Sequence, residues 1–237
     1  MNFEAVIKIG GSLARSQDLG VLCEEIGRLG TQHQLLVVPG GGEFADTVRD
    51  YYRRFQLSET TAHRMAILAM DQYGCLLGDL IPQSVLAAEV ETAQTAAANG
   101  LVPILIPSNL ITQFDPLPHS WQVTSDSIAA WIAGQVNASQ LILLKVIDGV
   151  LKPSALNTTQ NELVSDLYAS ELEKYPGYVD EYFSNYINSV KAETWVINGL
   201  YPSRLVELIT KGQTIGTRIR RDELNNLLGG HHRESEH

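Results

Sequence analysis

Cysteine is scarce in this chain of 237 residues: Cys23 and Cys75 are its whole complement, and neither stands at a metal-ligating spacing. Both fall in segments of helical period and read as small buried residues of a reducing compartment, which excludes a disulfide-stapled scaffold. Positive charge is in deficit, with 17 Lys and Arg against 27 Asp and Glu and a formal net charge of −10. That balance argues against a general nucleic-acid binder. Long hydrophobic runs are missing too, so no stretch is a candidate membrane span. The first residues read as a strand, not as a charged start followed by an apolar leader, and a cytoplasmic location is expected. The sequence has no HExxH, no CxxC pair, no GxxxxGK[ST] and no GxGxxG. A protein-held metal site, a P-loop and a dinucleotide-binding fingerprint are therefore not expected.

Hydrophobic content of 44% and a charged fraction of 19% are ordinary for a globular chain long enough to bury a substantial core. Apolar runs alternate with helix-period segments, the pattern of a parallel sheet covered on both faces. Strands are predicted over 5–9, 35–38, 101–106, 141–146, 195–197 and 213–219. Helices are predicted over 19–29, 42–52, 60–80, 84–99, 124–136 and 202–210, with a short one beginning near Asp166. Gly30 is a plausible stop for the first, Pro82 ends the third, and Thr124 or Ser125 caps the fifth. Residues 107–119 hold three prolines without a clear period and read as a loop. No repeat or linker forces a boundary. A single domain over 1–228 is expected, followed by a polar, disordered tail over 229–237.

Two strand ends stand out. VIKIGGSL delivers Lys8 into the turn Gly10-Gly11-Ser12, and LLVVPGGGEF runs through Pro39 into Gly40-Gly41-Gly42. Glycine lets a ligand approach the main chain, and N–H groups at such turns suit phosphate. Glycine turns also arise for purely geometric reasons, and that reading stays open for each alone. Together they suggest a site for two phosphorylated ligands.

With these motifs placed, the chain resembles the amino acid kinase superfamily, through KIGGS, PGGGEF, TSDSIAAW (residues 124–131), LLKVIDGV (143–150), INGLYP (197–202) and IGTRI (215–219). The resemblance implies a three-layer αβα sandwich with an open, mainly parallel central sheet. It puts the phosphate acceptor toward residues 1–135 and ATP toward 136–228. Within the superfamily, AHRMAILAMDQYG (62–74), PHSWQVTSDSIAAW (118–131) and VDEYF (179–183) are most similar to one branch. That branch phosphorylates an aminomethylfuran phosphate during methanofuran cofactor synthesis.

Phosphoryl transfer asks for aligned reactants and for cations or N–H donors over the moving charge. Lys8 suits the cation role, against the alternative of a solvated lysine at a strand end. The resemblance implies that Gly10, Gly11 and Ser12 serve the ATP phosphates and Gly40, Gly41 and Gly42 the acceptor. Asp126 would orient the lysines, although a carboxylate at a helix start also interacts with the dipole. Thr124 and Ser125 either cap that helix or touch the acceptor's phosphate. Lys145, Asp148, Gly149 and Val150 follow the strand similar to the family's nucleotide-contacting one, with a plain Asp148-Gly149 turn as the rival reading. His63, Met70 and Asp71 share a predicted helix; Met70 reads as core, while His63 and Asp71 are open between packing and substrate, where Asp71 would suit a substrate ammonium. Asp180 and Glu181 are further candidates, though acidic loop residues usually face water.

One departure matters. Many members carry a second catalytic lysine upstream of the position of INGLYP, where this chain reads YVDEYFSNY. Lys145, Lys152 or Lys191 would have to substitute. The expected activity is ATP-dependent phosphorylation of an existing phosphate on a small molecule, with Mg²⁺ bridging ATP oxygens and few direct protein ligands. Uridylate kinase is the rival within the class, and a non-catalytic nucleotide-binding module the rival outside it. Relatives commonly associate, so a homo-oligomer is expected.

Overall fold

The computed structural model describes residues 2–152 and 162–222, and the tail expected over 229–237 lies outside them. The chain runs β1 (Ala5–Ile9), α1 (Leu19–Gly30), β2 (Leu35–Pro39), α2 (Gly42–Phe55), α3 (Glu59–Leu80), β3 (Ser84–Ala87), α4 (Val90–Ala98) and β4 (Val102–Leu105). It continues through α5 (Ser108–Phe114), α6 (Ser125–Gln135), β5 (Gln140–Lys145), β6 (Asp166–Tyr168), α7 (Phe183–Ile187), β7 (Glu193–Asn198), α8 (Pro202–Lys211) and β8 (Thr217–Arg220). Short 3-10 turns cover Gly11–Arg15 and Ala169–Lys174. The strands form one eight-stranded sheet in the order β3-β4-β2-β1-β5-β7-β8-β6, parallel except between β7 and β8. Helices cover both faces, as a mainly parallel sheet requires.

Strand alternation divides the core in two. Ala5, Ile7 and Ile9 of β1 pack on one face with Ile142 and Leu144 of β5, against α1 and α8. Val6 packs on the other face with Leu141 and Leu143, against α6. Side chains alternate with period two, so Lys8 and Lys145 point to the α6 face. Helix α6 is buried nearly all round, from Asp126 through Ala133, which seats its start against the strand ends.

Several elements differ from the sequence reading. The predicted helix over 84–99 is strand β3 followed by α4: Ser84–Ala87 pairs parallel with β4, and the helix begins only at Val90, after Ala88 and an extended Glu89 at its N-cap. The predicted loop over 107–119 contains α5: Pro107 stands at its N-cap and Pro116 beyond its end, so the prolines bound the helix instead of breaking it. At Asp166 there is a strand, not a helix, paired parallel with β8. The closing strand is shorter than predicted, starting at Thr217. Of the cysteines, only Cys23 is buried, where burial pushes its thiol up to about 12; Cys75 is exposed on α3.

The glycine turns meet each other. A Cβ on Gly11 would lie inside the van der Waals envelope of Gly42 N and Cα, and one on Gly40 would come within 2.8 Å of Gly11 N. Gly10 is held as tightly, with its Cβ position 2.6 Å from the Leu144 carbonyl oxygen. These glycines are needed first for main chain packed on main chain. A Gly11→Ala substitution is expected to destabilise by at least about 1–3 kcal/mol, the cost of overpacking where backbone cannot yield. A lowered denaturant midpoint with unchanged slope would show it.

Candidate active site

The loop ends of β1, β2 and β5 and the start of α6 converge on a cleft of about 340 Å³ lined by Lys8, Gly11, Ser12, Gly41, Gly42, Ser125, Asp126 and Lys145, among others. At its floor the Asp126 carboxylate lies between two ammoniums. Lys8 Nζ donates to Oδ1 at 2.8 Å and Lys145 Nζ to Oδ2 at 2.6 Å. The Lys8 and Asp126 side chains are only 6% and 4% exposed, whereas Lys145 is 18% exposed and so is the cation nearer the opening. Burial alone would raise the Asp126 pKa; the charges and hydrogen bonds of Lys8 and Lys145 override it and hold the carboxyl well below the usual carboxylate range. Burial pulls the Lys8 ammonium down from the ordinary lysine value, opposed by Asp126 and reinforced by Lys145.

Asp126 is aimed by its helix. Thr124 Oγ1 accepts from Asp126 N at 3.3 Å, as an N-cap does, and donates to Asp180 Oδ2 at 2.8 Å. Asp180 also accepts from Thr124 N at 2.9 Å, Ser127 N at 3.0 Å, Ser127 Oγ and Phe183 N at 2.9 Å. It therefore ties the start of α6 to the start of α7, the opposite of a carboxylate merely facing water. Burial, followed by the Asp126 charge, raises its pKa against those hydrogen bonds.

The other wall is the start of α2 beside the 3-10 turn. The first N–H groups of a helix lack intrahelical partners, so Gly42 and Glu43 present donors here. Arg15 Nε and Nη2 bond Glu43 Oε1 at 3.1 Å and Asp46 Oδ2 at 2.9 Å. Arg49 bonds Asp46 Oδ1 at 2.8 Å and lies 5.2 Å over the Trp121 ring. Four cations, Lys8, Arg15, Arg49 and Lys145, thus line one cleft with three carboxylates, Glu43, Asp46 and Asp126, and the N–H-rich turns and helix starts beside them add to the small positive excess that favours an anion.

The remaining sequence candidates divide. Gly10 and Gly40 lie behind this wall, their N–H groups bonded to Leu144 O and Ile9 O, both at 2.9 Å. Asp148 is exposed and accepts from Asn198 Nδ2 at 3.0 Å and Arg204 Nη1 at 2.6 Å, which lowers its pKa. Gly149 takes φ +134 and packs against Thr217, while Val150 is fully buried with its N–H donating to Thr217 Oγ1 at 2.7 Å. Thr124 and Ser125 line the cleft and its extension toward His63, Met70 and Trp121. His63 is buried and stacks on His119 at 4.5 Å; burial, then His119, lowers its pKa. Asp71 stands apart from both, its Oδ1 accepting from Ser108 N at the start of α5. Of the three lysines considered as the second cation, Lys145 is the one at Asp126, and Lys152 is an exposed partner of Glu162.

Arg15, Arg49 and Trp121 escaped the sequence reading. The signal was weak but present: Arg15 follows GGS by three residues, and Asp46 and Arg49 lie one turn apart on the helix that PGGG opens. Trp121 had no local signal, since it reaches the site only because the segment before α6 folds over α2.

A model of the amino acid kinase family matches residues 4–200, and the chain belongs to that family. It is 26% identical over 219 residues to "[5-(aminomethyl)furan-3-yl]methyl phosphate kinase" of Methanocaldococcus jannaschii, covering 90% of this chain and 96% of that one. It is 25% identical over 253 residues to "Uridylate kinase" of Methanococcoides burtonii, covering 90% and 98%. Among solved structures, uridylate kinase from Archaeoglobus fulgidus superposes with a TM-score of 0.71 at 22% identity, covering 93% of this chain and all of that one. An isopentenyl phosphate kinase of T. acidophilum gives 0.59 at 20% identity, covering 91% and 99%. At such identities the structural likeness is one of fold.

Asp126→Asn leaves the buried Lys8 ammonium and the partly buried Lys145 ammonium uncompensated and is expected to destabilise by about 3–5 kcal/mol at neutral pH. The folded Asp126 pKa lies below its ordinary 3.8, so its contribution is full above that value and fades as pH falls further. The gap between wild type and Asp126→Asn, followed by denaturant unfolding from pH 7 downward, should therefore narrow below about pH 4.

Proposed function

We propose that this member of the amino acid kinase family is an ATP-dependent kinase that adds a phosphoryl group to an existing phosphate. The observation that carries the reading is Asp126 flanked by Lys8 and Lys145 at the floor of a cleft with glycine turns on its walls. Lys145 would take the place of the lysine missing from the 178–186 segment.

The chemistry follows from the charges. An oxygen of the acceptor's phosphate attacks the γ-phosphorus, the bond from that phosphorus to the β–γ bridging oxygen breaks, and ADP leaves with the electron pair. A phosphate monoester near neutral pH is already largely deprotonated, because its second pKa is about 6, so no general base is needed. Negative charge on the transferring group is met by Lys8 and Lys145, held at fixed positions before the reaction begins. Asp126 orients both ammoniums and limits their repulsion. The 3-10 turn with Gly11 and Ser12 would serve the ATP phosphates, with Gly10 as its packed base. Gly41 and Gly42 would hold the acceptor's phosphate on the start of α2, with Gly40 behind them and Thr124 and Ser125 opposite. Asp148, held by Asn198 and Arg204, lies on the nucleotide side; Gly149 and Val150 would shape that side through packing. His63 would line the acceptor's pocket, and Asp71 would support it through α5. Mg²⁺ supplies charge neutralisation when it arrives with ATP. No group of three His, Cys, Asp or Glu side chains is poised to bind it among the described residues, so the nucleotide oxygens would be its main ligands.

For the acceptor we favour [5-(aminomethyl)furan-3-yl]methyl phosphate, converted to its diphosphate, because the relative named for that substrate aligns over 90% of this chain. UMP is the second reading, supported by the uridylate kinase relative and the fold neighbours. An ADP-release assay across both acceptors and isopentenyl phosphate decides: turnover confined to the aminomethylfuran phosphate is expected, and turnover with UMP alone would refute the choice. Lys8→Ala and Lys145→Ala are each expected to lower kcat by about 10²–10³, the loss typical of removing one preorganised charge donor. Unchanged ATP turnover in either would sink the mechanism.

A further inference from the structure

The cleft adjoins an extension of about 60 Å³, and the two differ in kind. Charged groups and glycine turns line the cleft, whereas Ala66, Ile67, Met70, Trp121, Val123 and Ile128 supply much of the extension's wall. So small and apolar a space suits an organic group and not a phosphate, whose burial without partners is costly. His63 also lines it, 9% exposed and with no hydrogen-bond partner for its Nε2, which fits an occupant that supplies one.

A molecule with its phosphate in the cleft and its body in the extension crosses the border between them. Gly41, Ala45, Arg49, Thr124 and Ser125 line both spaces, and Arg49 alone among them is charged. Gly42, Ala45 and Arg49 recur along α2 at spacings of three and four, so Arg49 shares one helix face with the turn that opens α2.

The Arg49 guanidinium is held from two sides. Nη1 donates to Asp46 Oδ1 at 2.8 Å, and Cζ lies 5.2 Å from the centre of the Trp121 ring, which Tyr52 meets edge-on at 5.5 Å. Both contacts restrain a long side chain before any ligand arrives, which lowers the cost of binding. Arg15 bonds Glu43 and the other Asp46 oxygen, so the two arginines and the two acids largely offset each other in charge. What Arg49 offers is therefore direction more than excess charge. Its Nε and Nη2 have no protein partner among the described residues, and the side chain is 41% exposed, so these donors are reachable. They form a planar fork that matches two oxygens of one phosphate.

We propose that Arg49 is the residue that binds the acceptor's phosphate, gripping it with paired hydrogen bonds where the cleft meets the extension. Asp46 and the Trp121 face hold the fork in place. Recognition of the acceptor then falls to a guanidinium and the moving charge to the ammoniums of Lys8 and Lys145, a division suited to one fixed phosphate and one in transit. The proposal rests on the reading of the cleft as a phosphoryl-transfer site.

Steady-state ADP release by the full chain tests it, with the aminomethylfuran phosphate, UMP and isopentenyl phosphate each tried as acceptor. Arg49→Gln is expected to raise KM for the acceptor that wild type turns over by about tenfold or more, the scale of losing charge-assisted hydrogen bonds, and KM for ATP by less than about twofold. Arg49→Lys keeps the charge without the fork and should recover only part of that loss; it also serves as the second variant should the first disturb α2. Arg15→Gln removes the same charge from the same cleft and should raise the acceptor's KM by a smaller factor. Thermal unfolding of all three confirms intact folding. An unchanged acceptor KM in Arg49→Gln, an equal rise in KM for ATP, full recovery by Arg49→Lys, or as large a rise in Arg15→Gln would overturn the proposal and leave the reading of the cleft standing. Wild type that releases no ADP with any of the three acceptors would overturn that reading and the proposal with it.

Discussion

The site depends on one electrostatic arrangement, a buried carboxylate shared by two ammoniums. Each of the three groups would be costly to bury alone, and each is tolerable because the other two are present. The carboxylate does more than compensate charge. It fixes two flexible lysine side chains at positions from which their net positive charge faces the cleft. Asp126 can do this because α6 is buried almost all round and its start cannot drift. The Asp180 carboxylate secures that start from a distant stretch of chain, accepting from backbone and hydroxyl groups at residues 124 and 127. An acidic side chain in an irregular segment thus helps to fix where the Asp126 carboxylate stands.

The sheet sets the spacing. Lys8 is opposite Leu143 in the β1–β5 register, so Lys145 lies two residues further along the neighbouring strand and on the same face. Two residues is one full pleat. A slip of one residue would put Lys145 among the apolar side chains under α1 and α8, and the ion triad would be lost. The walls of the cleft are consequently not independent modules; they share strands whose pairing is enforced by two hydrophobic clusters.

Much of this was legible in the sequence, and the reasons differ by element. The central strands are continuous apolar runs of a kind that only doubly covered parallel strands show, so the fold class followed from pattern. Lys8 was legible because it stands near the end of such a strand, and Asp126 because it stands in the TSDS motif, where the family resemblance falls at a helix start. Lys145 was legible as a candidate but not as the partner of Asp126, since that pairing joins β5 to α6 through their tertiary positions. The failures have local causes. Three prolines in 107–119 concealed α5 because two of them sit where helices accept or follow them. Asp180 stayed open between a site candidate and a solvated acid because nothing near it in sequence announces five donors from the starts of α6 and α7. For the glycines the sequence left ligand approach and backbone geometry both open, because the contact between the two turns that requires them on packing grounds is tertiary.

That contact has a consequence for how such a protein can change. Gly11 rests on Gly42, and Gly40 on Gly11, with no side chain between them to absorb an alteration. The two loops are therefore heritable only as a pair. A residue gained in one must be answered by a displacement in the other, so drift through single substitutions is closed to them. Grafting either loop alone into a different scaffold would carry over its sequence without the surface that gives it its shape.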